Sequence, residues 1–388
     1  MPSNFQPGFD FDEMRTLLEI AQQTYTGIAP SKGAPPVPAP PVNWRLDTDL
    51  TPSGTTLLDN YWQVWRNQDE DDQYCIAVRG TVATAPSVLE DLLLPLVRAR
   101  LSVSLAHCGI PLTLDLDLAR DEADSPVEAG VHAGFALGLM SILFTTDAPL
   151  WLTLLGLPED ARIYITGHSQ GASVALLLTS FVRHSELFSS KHYKTYVFAP
   201  AKPGNDHYAY DLDRTAGVQG LAYSVVSTQD WVPQVPFTLE GLNAINRPNP
   251  LAAFPSGCAE VSTVQSPPQV QQADVAEEAA REEARARLQT LFADLRRQLP
   301  NQIYGVTASQ LSPALSGAAG ADRILGSACL DSVLEQLINA ILPSLNFAKA
   351  GTMVPAFATP GSNPDDPKDF FWQHHLGNYL KYLTEDYG

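Results

Sequence analysis

The stretch ARIYITGHSQGASVALLLTSFV, residues 161–182, decides the fold. Its opening, rich in β-branched and aromatic residues, reads as a strand over 161–167. Its second half is apolar and free of helix breakers after Gly171, and predicts a helix from about Gln170 to His184. Between them lies Gly167-His168-Ser169-Gln170-Gly171, the single GxSxG of the chain. Strand, sharp turn, helix is the order that a nucleophile elbow requires. Side chains two before and two after the serine would collide with neighbouring backbone, and glycine at both positions removes the collision. The serine oxygen then projects outward, above a helix N-terminus that favours developing negative charge. A serine merely capping a helix would fit the same five letters, so the flanking strand and helix carry the catalytic reading.

Working outward, YWQVWR (61–66) and QYCIAVR (73–79) read as strands joined across NQDEDD, and KTYVFAP (194–200) and LAYSVVS (221–227) as two more. Helices are expected over Asp10 to Tyr25, over 131–144, and over SVLEDLLLPLVRARLSVSL (87–105) with a kink at Pro95. Strands alternating with helices predict an α/β fold, a mostly parallel central sheet flanked by helices. The segment APSKGAPPVPAPP (29–41), with six prolines, reads as an extended surface crossing. Beyond Pro236 two further helices are expected, 273–299 with the stripe Leu288, Leu291, Phe292, Leu295 and Leu299, and 329–345. The expected organisation is an N-terminal helix and Pro-rich segment (1–60), a catalytic core (61–236, lid candidate 82–126), a helical insertion or cap (237–365) and a C-terminal return to the core (366–388).

The 388 residues carry 24 Lys+Arg against 43 Asp+Glu, a formal charge of −19, which argues against nucleic acid or anionic membrane as partner. Cys75, Cys108, Cys258 and Cys329 form no CxxC pattern, so neither a zinc knuckle nor a dithiol redox site is expected. The N-terminal MPSNFQPGFDFDEMRTLL lacks the basic-then-apolar order of a signal peptide, which suggests a cytoplasmic or non-classically exported protein. No cofactor and no metal are implied.

A serine nucleophile needs a base and an acid. In G-x-S-x-G hydrolases the chain order is Ser, acid, His, which among eight histidines leaves His374 and His375. Asp230, standing where strand LAYSVVS gives way to Trp231-Val232-Pro233, is the acid candidate, with Asp206 in PGND as rival. His132 and His207 read as structural, at a helix start and in a loop. Two donors must face the developing oxyanion. The amide of Gln170 is one, and Thr81, at the exit of strand QYCIAVR past Gly80, is the candidate for the other.

AVRGT, VHAGF, ITGHSQGA, FAPAKPGN and STQDWVP together resemble, in order and chemistry, the class 3, fungal-type triacylglycerol lipases of the α/β-hydrolase superfamily. The resemblance covers roughly 61–236 and the C-terminal HHLGNYLKYL. It implies an α/β-hydrolase fold with a helical cap or lid insertion, Ser169 as nucleophile, Asp230 as acid, and Thr81 with Gln170 as oxyanion donors. For the base it favours His374, five residues before Tyr379, with His375, four before, as the alternative. The span of 144 positions from Asp230 to His374 departs from compact members, and SVLEDLLLPLVRARL would occupy the place of the family's amphipathic lid. The implied activity is a lipase or esterase cleaving acylglycerols or other fatty-acyl esters through an acyl-enzyme. Its partners would be a lipid or small-molecule ester and, transiently, a lipid–water interface; the negative charge favours a neutral substrate. Phospholipase A1 and feruloyl or polyester esterase are alternatives, as is an interaction protein on a hydrolase scaffold.

Overall fold

The computed structural model describes residues 5–28, 36–55, 60–80, 95–104, 113–120, 128–144, 148–236, 286, 336, 339–342 and 346–388. Seven strands make the central sheet: β1 (Trp44–Leu46), β2 (Tyr61–Asn67), β3 (Gln73–Arg79), β8 (Arg162–His168), β9 (His192–Phe198), β10 (Ala222–Ser227) and β11 (Thr352–Ala356), in that spatial order. β1, β2 and β3 pair antiparallel, and every pair from β3 to β11 is parallel. Parallel strands need crossovers. They are supplied by α2 (Ala133–Phe144), α3 (Leu150–Gly156), α4 (Gln170–His184) and α5 (Asp206–Leu212), while α1 (Phe11–Gln23) and α6 (Leu376–Tyr387) bracket the chain.

The inner strands β3, β8, β9 and β10 are buried on both faces, which is why they read as near-continuous apolar runs. In β3, Tyr74, Ile76 and Val78 join the core under α2 and α4, while Cys75 and Ala77 join the second core, shared with α1 and α6. α1 is capped by Asp10, whose Oδ1 accepts from the Glu13 amide at 2.9 Å. Its buried Glu13 accepts from Lys194 and, at 2.5 and 3.1 Å, from the hydroxyls of Tyr164 and Tyr196. A buried charge without such partners would be expelled or neutralised, so this cluster fixes where α1 docks.

The helix expected over 87–105 is corrected for its described part. Residues 96–98 and 100–104 are strands β4 (Leu96–Arg98) and β5 (Arg100–Ser104), paired with β7 (Gly130–His132) and β6 (Thr113–Asp117) in two small sheets off the main one. RLSVS alternates with period two, and its outward residues meet β6 partners: Ser102 donates to Asp115 at 2.7 Å and Arg100 pairs with Asp117 at 3.4 Å. Short apolar runs cannot separate strand from helix by pattern alone. The helix expected over 329–345 stops short of that bound. Ala340 and Leu342 bond to the backbone of Arg98 and Leu96, an extended arrangement that Pro343 imposes on the residues before it. The rest of that segment apart from Gln336, Asn339 and Ile341, and 273–299 apart from Ala286, lie outside the described residues, as do Cys108, Cys258 and Cys329.

Candidate active site

β8 runs straight into the turn, and Ser169 is held at φ 60°, ψ −132°, immediately before α4. A non-glycine residue in this region is strained, and strain of this kind is kept where it aims a functional group. The turn is locked from below, since the Ser169 amide donates to the Phe198 carbonyl at 3.0 Å. A Cβ on Gly167 would lie 2.6 Å from the Gly171 carbonyl oxygen, and one on Gly171 only 2.4 Å from that of Val78. Gly80 shares the constraint, since a Cβ there would sit 2.7 Å from the Gly171 amide nitrogen. Gln170, first residue of α4, presents an amide that has no acceptor within its own helix. Thr81 lies outside the described residues.

Asp230 follows β10 by three residues and is 3% exposed. Its Oδ2 accepts from His374 Nδ1 and from the Tyr379 hydroxyl, both at 2.7 Å, and its Oδ1 accepts from the Val232 amide at 3.0 Å. Burial alone would raise this carboxyl, but the facing His374 and the three donors outweigh it and hold Asp230 below the usual carboxylate range. Tyr379 is itself fixed, its oxygen accepting from the Ser227 amide at 3.0 Å. The sequence reading used Tyr379 only as a spacing marker; its grip on the acid was not visible in the pattern.

His374 ends the 3-10 turn Trp372–His374, just before α6. With Nδ1 engaged by Asp230, its Nε2 is buried and has no hydrogen-bond partner among the described residues. His375 turns elsewhere: its Nε2 faces Asp369 Oδ2 at 2.9 Å, and that carboxylate also accepts from Asn363 at 3.1 Å. The loop after β10 is strapped over this corner, with Trp231 Nε1 donating to the Phe370 carbonyl at 3.0 Å and its ring 5.2 Å from that of Phe371. The rival Asp206 instead opens α5 and accepts from Asn346. His132 caps α2, its Nδ1 accepting from the Gly134 amide at 3.2 Å, and His207 lies in α5 and not in a loop. Sequence reasoning passed over Tyr25 and set His168 aside as a neighbour of Ser169 that points elsewhere. The Tyr25 hydroxyl lies 3.1 Å from His168 Nδ1, and His168 Nε2 lies 2.9 Å from the His374 carbonyl. No motif signals such contacts, because they join residues far apart in the chain.

A strained serine between a parallel strand and a helix, with an Asp–His pair beyond a later strand of the same sheet, defines the α/β-hydrolase class. Within it, residues 75–240 match the model described as Lipase (class 3). A secreted mono- and diacylglycerol lipase of Malassezia restricta is 26% identical over 161 residues, which cover 41% of this chain and 46% of that protein. Another, from Malassezia globosa, is 32% identical over 83 residues, covering 21% and 26%. The chain thus spans less than half the length of these relatives. Among solved structures, a lipase from Rhizopus microsporus var. chinensis aligns with TM-score 0.41 and 19% identity over 60% of this chain and 71% of that one. These relatives overturn one expectation. Both are named secreted lipases, which points to export and against a cytoplasmic protein. The composition of the first eighteen residues describes those residues and not the compartment.

Proposed function

We propose that this chain is a serine carboxylic-ester hydrolase, a lipase or esterase acting on fatty-acyl esters. The observation that carries the reading is the buried Asp230–His374 hydrogen bond, which leaves His374 Nε2 without a partner among the described residues, beside the His168-Ser169 turn. An imidazole held in one tautomer by a buried carboxylate at Nδ1 has its other nitrogen ready to accept a proton. As the Ser169 hydroxyl attacks the ester carbonyl, its proton passes to His374 Nε2, and Asp230 stabilises the imidazolium. Tyr379 and the Val232 amide keep Asp230 ionised and oriented. The Gln170 amide, with Thr81 as the second proposed donor, holds the tetrahedral oxyanion. His374 then returns the proton to the departing alcohol, and a water deprotonated by the same residue releases the acid from the acyl-enzyme.

The names of the Malassezia relatives support a neutral acylglycerol as substrate, and their secretion supports an exported enzyme. Ser169→Ala is expected to abolish turnover of p-nitrophenyl esters and labelling by a fluorophosphonate while the melting temperature stays near that of the parent. Undiminished turnover in that variant defeats the nucleophile assignment. A series of esters and acylglycerols of rising chain length, compared by kcat/KM, tests the fatty-acyl preference; a preference confined to acetyl esters contradicts it.

A further inference from the structure

The mechanism above leaves the imidazole next to the nucleophile without a task. His168 is 8% exposed, and both of its nitrogens are occupied across long reaches of sequence. The direction of this chain of hydrogen bonds is fixed by chemistry. The His374 carbonyl can only accept, so His168 Nε2 carries the proton and Nδ1 is the acceptor. Tyr25 must then donate its hydroxyl proton to Nδ1, and its oxygen in turn receives the backbone hydrogen bond of Gly80. Burial first, and the neighbouring His374 second, hold the His168 imidazole well below its ordinary range, consistent with the neutral donor–acceptor form. The two imidazoles also lie face against face, ring centroids 4.5 Å apart at an interplanar angle of 34°.

Packing alone asks for none of this. An aliphatic side chain would fill the site without placing a polar ring in a buried position that demands partners for both nitrogens. Each partner belongs to a different part of the site: Gly80 packs on the elbow, His168 precedes Ser169, and His374 carries the acid's hydrogen bond. Asp230 fixes the His374 ring, but nothing in that pair fixes the backbone from which the ring hangs.

We propose that His168 and Tyr25 are positioning residues, which hold the backbone of His374 in register with the Ser169 turn and thereby tie the catalytic geometry to the N-terminal helix. Tyr25 lies two residues beyond the end of α1 and outside the family-matched segment 75–240. The catalytic unit therefore includes a piece of chain that the family match does not reach. The inference rests on the serine-hydrolase reading, and the experiment separates the two.

In the full chain, Tyr25→Phe, His168→Leu and His168→Gln are compared with the parent. Active sites are counted by fluorophosphonate labelling, and turnover of p-nitrophenyl butyrate is expressed per labelled site. His168→Leu is expected to lower kcat per site by about 10- to 100-fold and Tyr25→Phe by about 5- to 10-fold, since a misplaced reacting group costs rate more than binding. KM should stay within about two-fold. His168→Gln should recover most of the loss, because its amide N–H can reach the His374 carbonyl. Unchanged kcat per site in Tyr25→Phe and His168→Leu overturns the proposal, as does a loss confined to the number of labelled sites. Tyr25→Phe deletes one oxygen and carries the test alone if the leucine variant does not fold. Failure of the underlying reading looks different: the parent itself would resist labelling, or Ser169→Ala would keep full turnover.

Discussion

Among the described residues, two buried His–Asp pairs differ in one nitrogen. At the elbow, His374 offers Nδ1 to Asp230 and keeps Nε2 free of partners among the described residues. At the far end of α4, His184 offers Nε2 to Asp211, whose other oxygen accepts from Arg214 at 2.7 Å. Both histidines are under 10% exposed, and both carboxylates are held below their usual range. Composition, burial and charge therefore do not distinguish the pair proposed as catalytic from one that fastens a helix end to α5. What distinguishes them is which nitrogen is bound and what the other one faces. His375 makes the point at closest range. It neighbours His374 in sequence, yet spends Nε2 on Asp369 and leaves the elbow.

The comparison breaks first at the base. His374→Ala should lower kcat on a soluble ester by several orders of magnitude, and Asp230→Asn by about 10⁴-fold through loss of the required tautomer. His375→Ala should stay within a few-fold. A reversal between the two histidines would mean that nitrogen choice does not mark the base.

Tyr379→Phe sharpens it further. That change removes one of the three donors to Asp230 and should cost about ten-fold in kcat with little change in KM. An equal rise in KM would place Tyr379 in substrate binding instead.

At the other pair the readout changes from rate to stability. His184→Leu leaves the buried Asp211 oxygen unpaired and should cost about 1–3 kcal/mol in denaturant unfolding. Turnover per labelled site should be unaffected, and a fall in it would couple α5 to the chemistry.

The smallest effect is a slope. His168 is neutral in the folded protein but titrates near pH 6.5 when unfolded, so below that pH the unfolded chain binds one more proton. Stability should rise with pH up to about 6.5, by at most about 1.4 kcal/mol per pH unit from this group, and His168→Gln should flatten that rise. Asp230, Asp211 and Asp369 act in a lower window: their depressed pKa values supply stability that is present above about pH 4 and lost as pH falls through the folded values. An unchanged slope in the glutamine variant would show that His168 does not stay neutral on folding.

Much of this site could be read from letters because its constraints are local. Gly167 and Gly171 report a backbone that tolerates no Cβ, and the strand before them is rich in β-branched and aromatic residues while the run after them is long, apolar and free of helix breakers. The choice between His374 and His375 was not local. It depends on the 3-10 turn that aims one ring at Asp230 and on Asp369, which draws the other away. RLSVS was misread as helix because its partner strand lies at 113–117, and a five-residue run carries no period long enough to decide. Glu13 and Lys194 looked like ordinary polar residues of a helix and a strand; only the docked sheet makes them a buried pair. β11 was missed because TMVPA holds a proline, which a strand at the sheet edge accommodates.

The place of β11 has a consequence for how such a chain can vary. β10 and β11 are hydrogen-bonded neighbours, with Ser227 opposite Ala356, although 128 residues lie strictly between those two positions. Asp230, the proposed acid, follows one strand, and His374, the proposed base, comes after the other. Their separation is thus set by the pitch of a ladder, about 4.8 Å between strands, and not by the length of polypeptide between them. The gap between these two strands is a socket: chain can be added, removed or exchanged there while the hydrogen bond between Asp230 and His374 stays where the sheet put it.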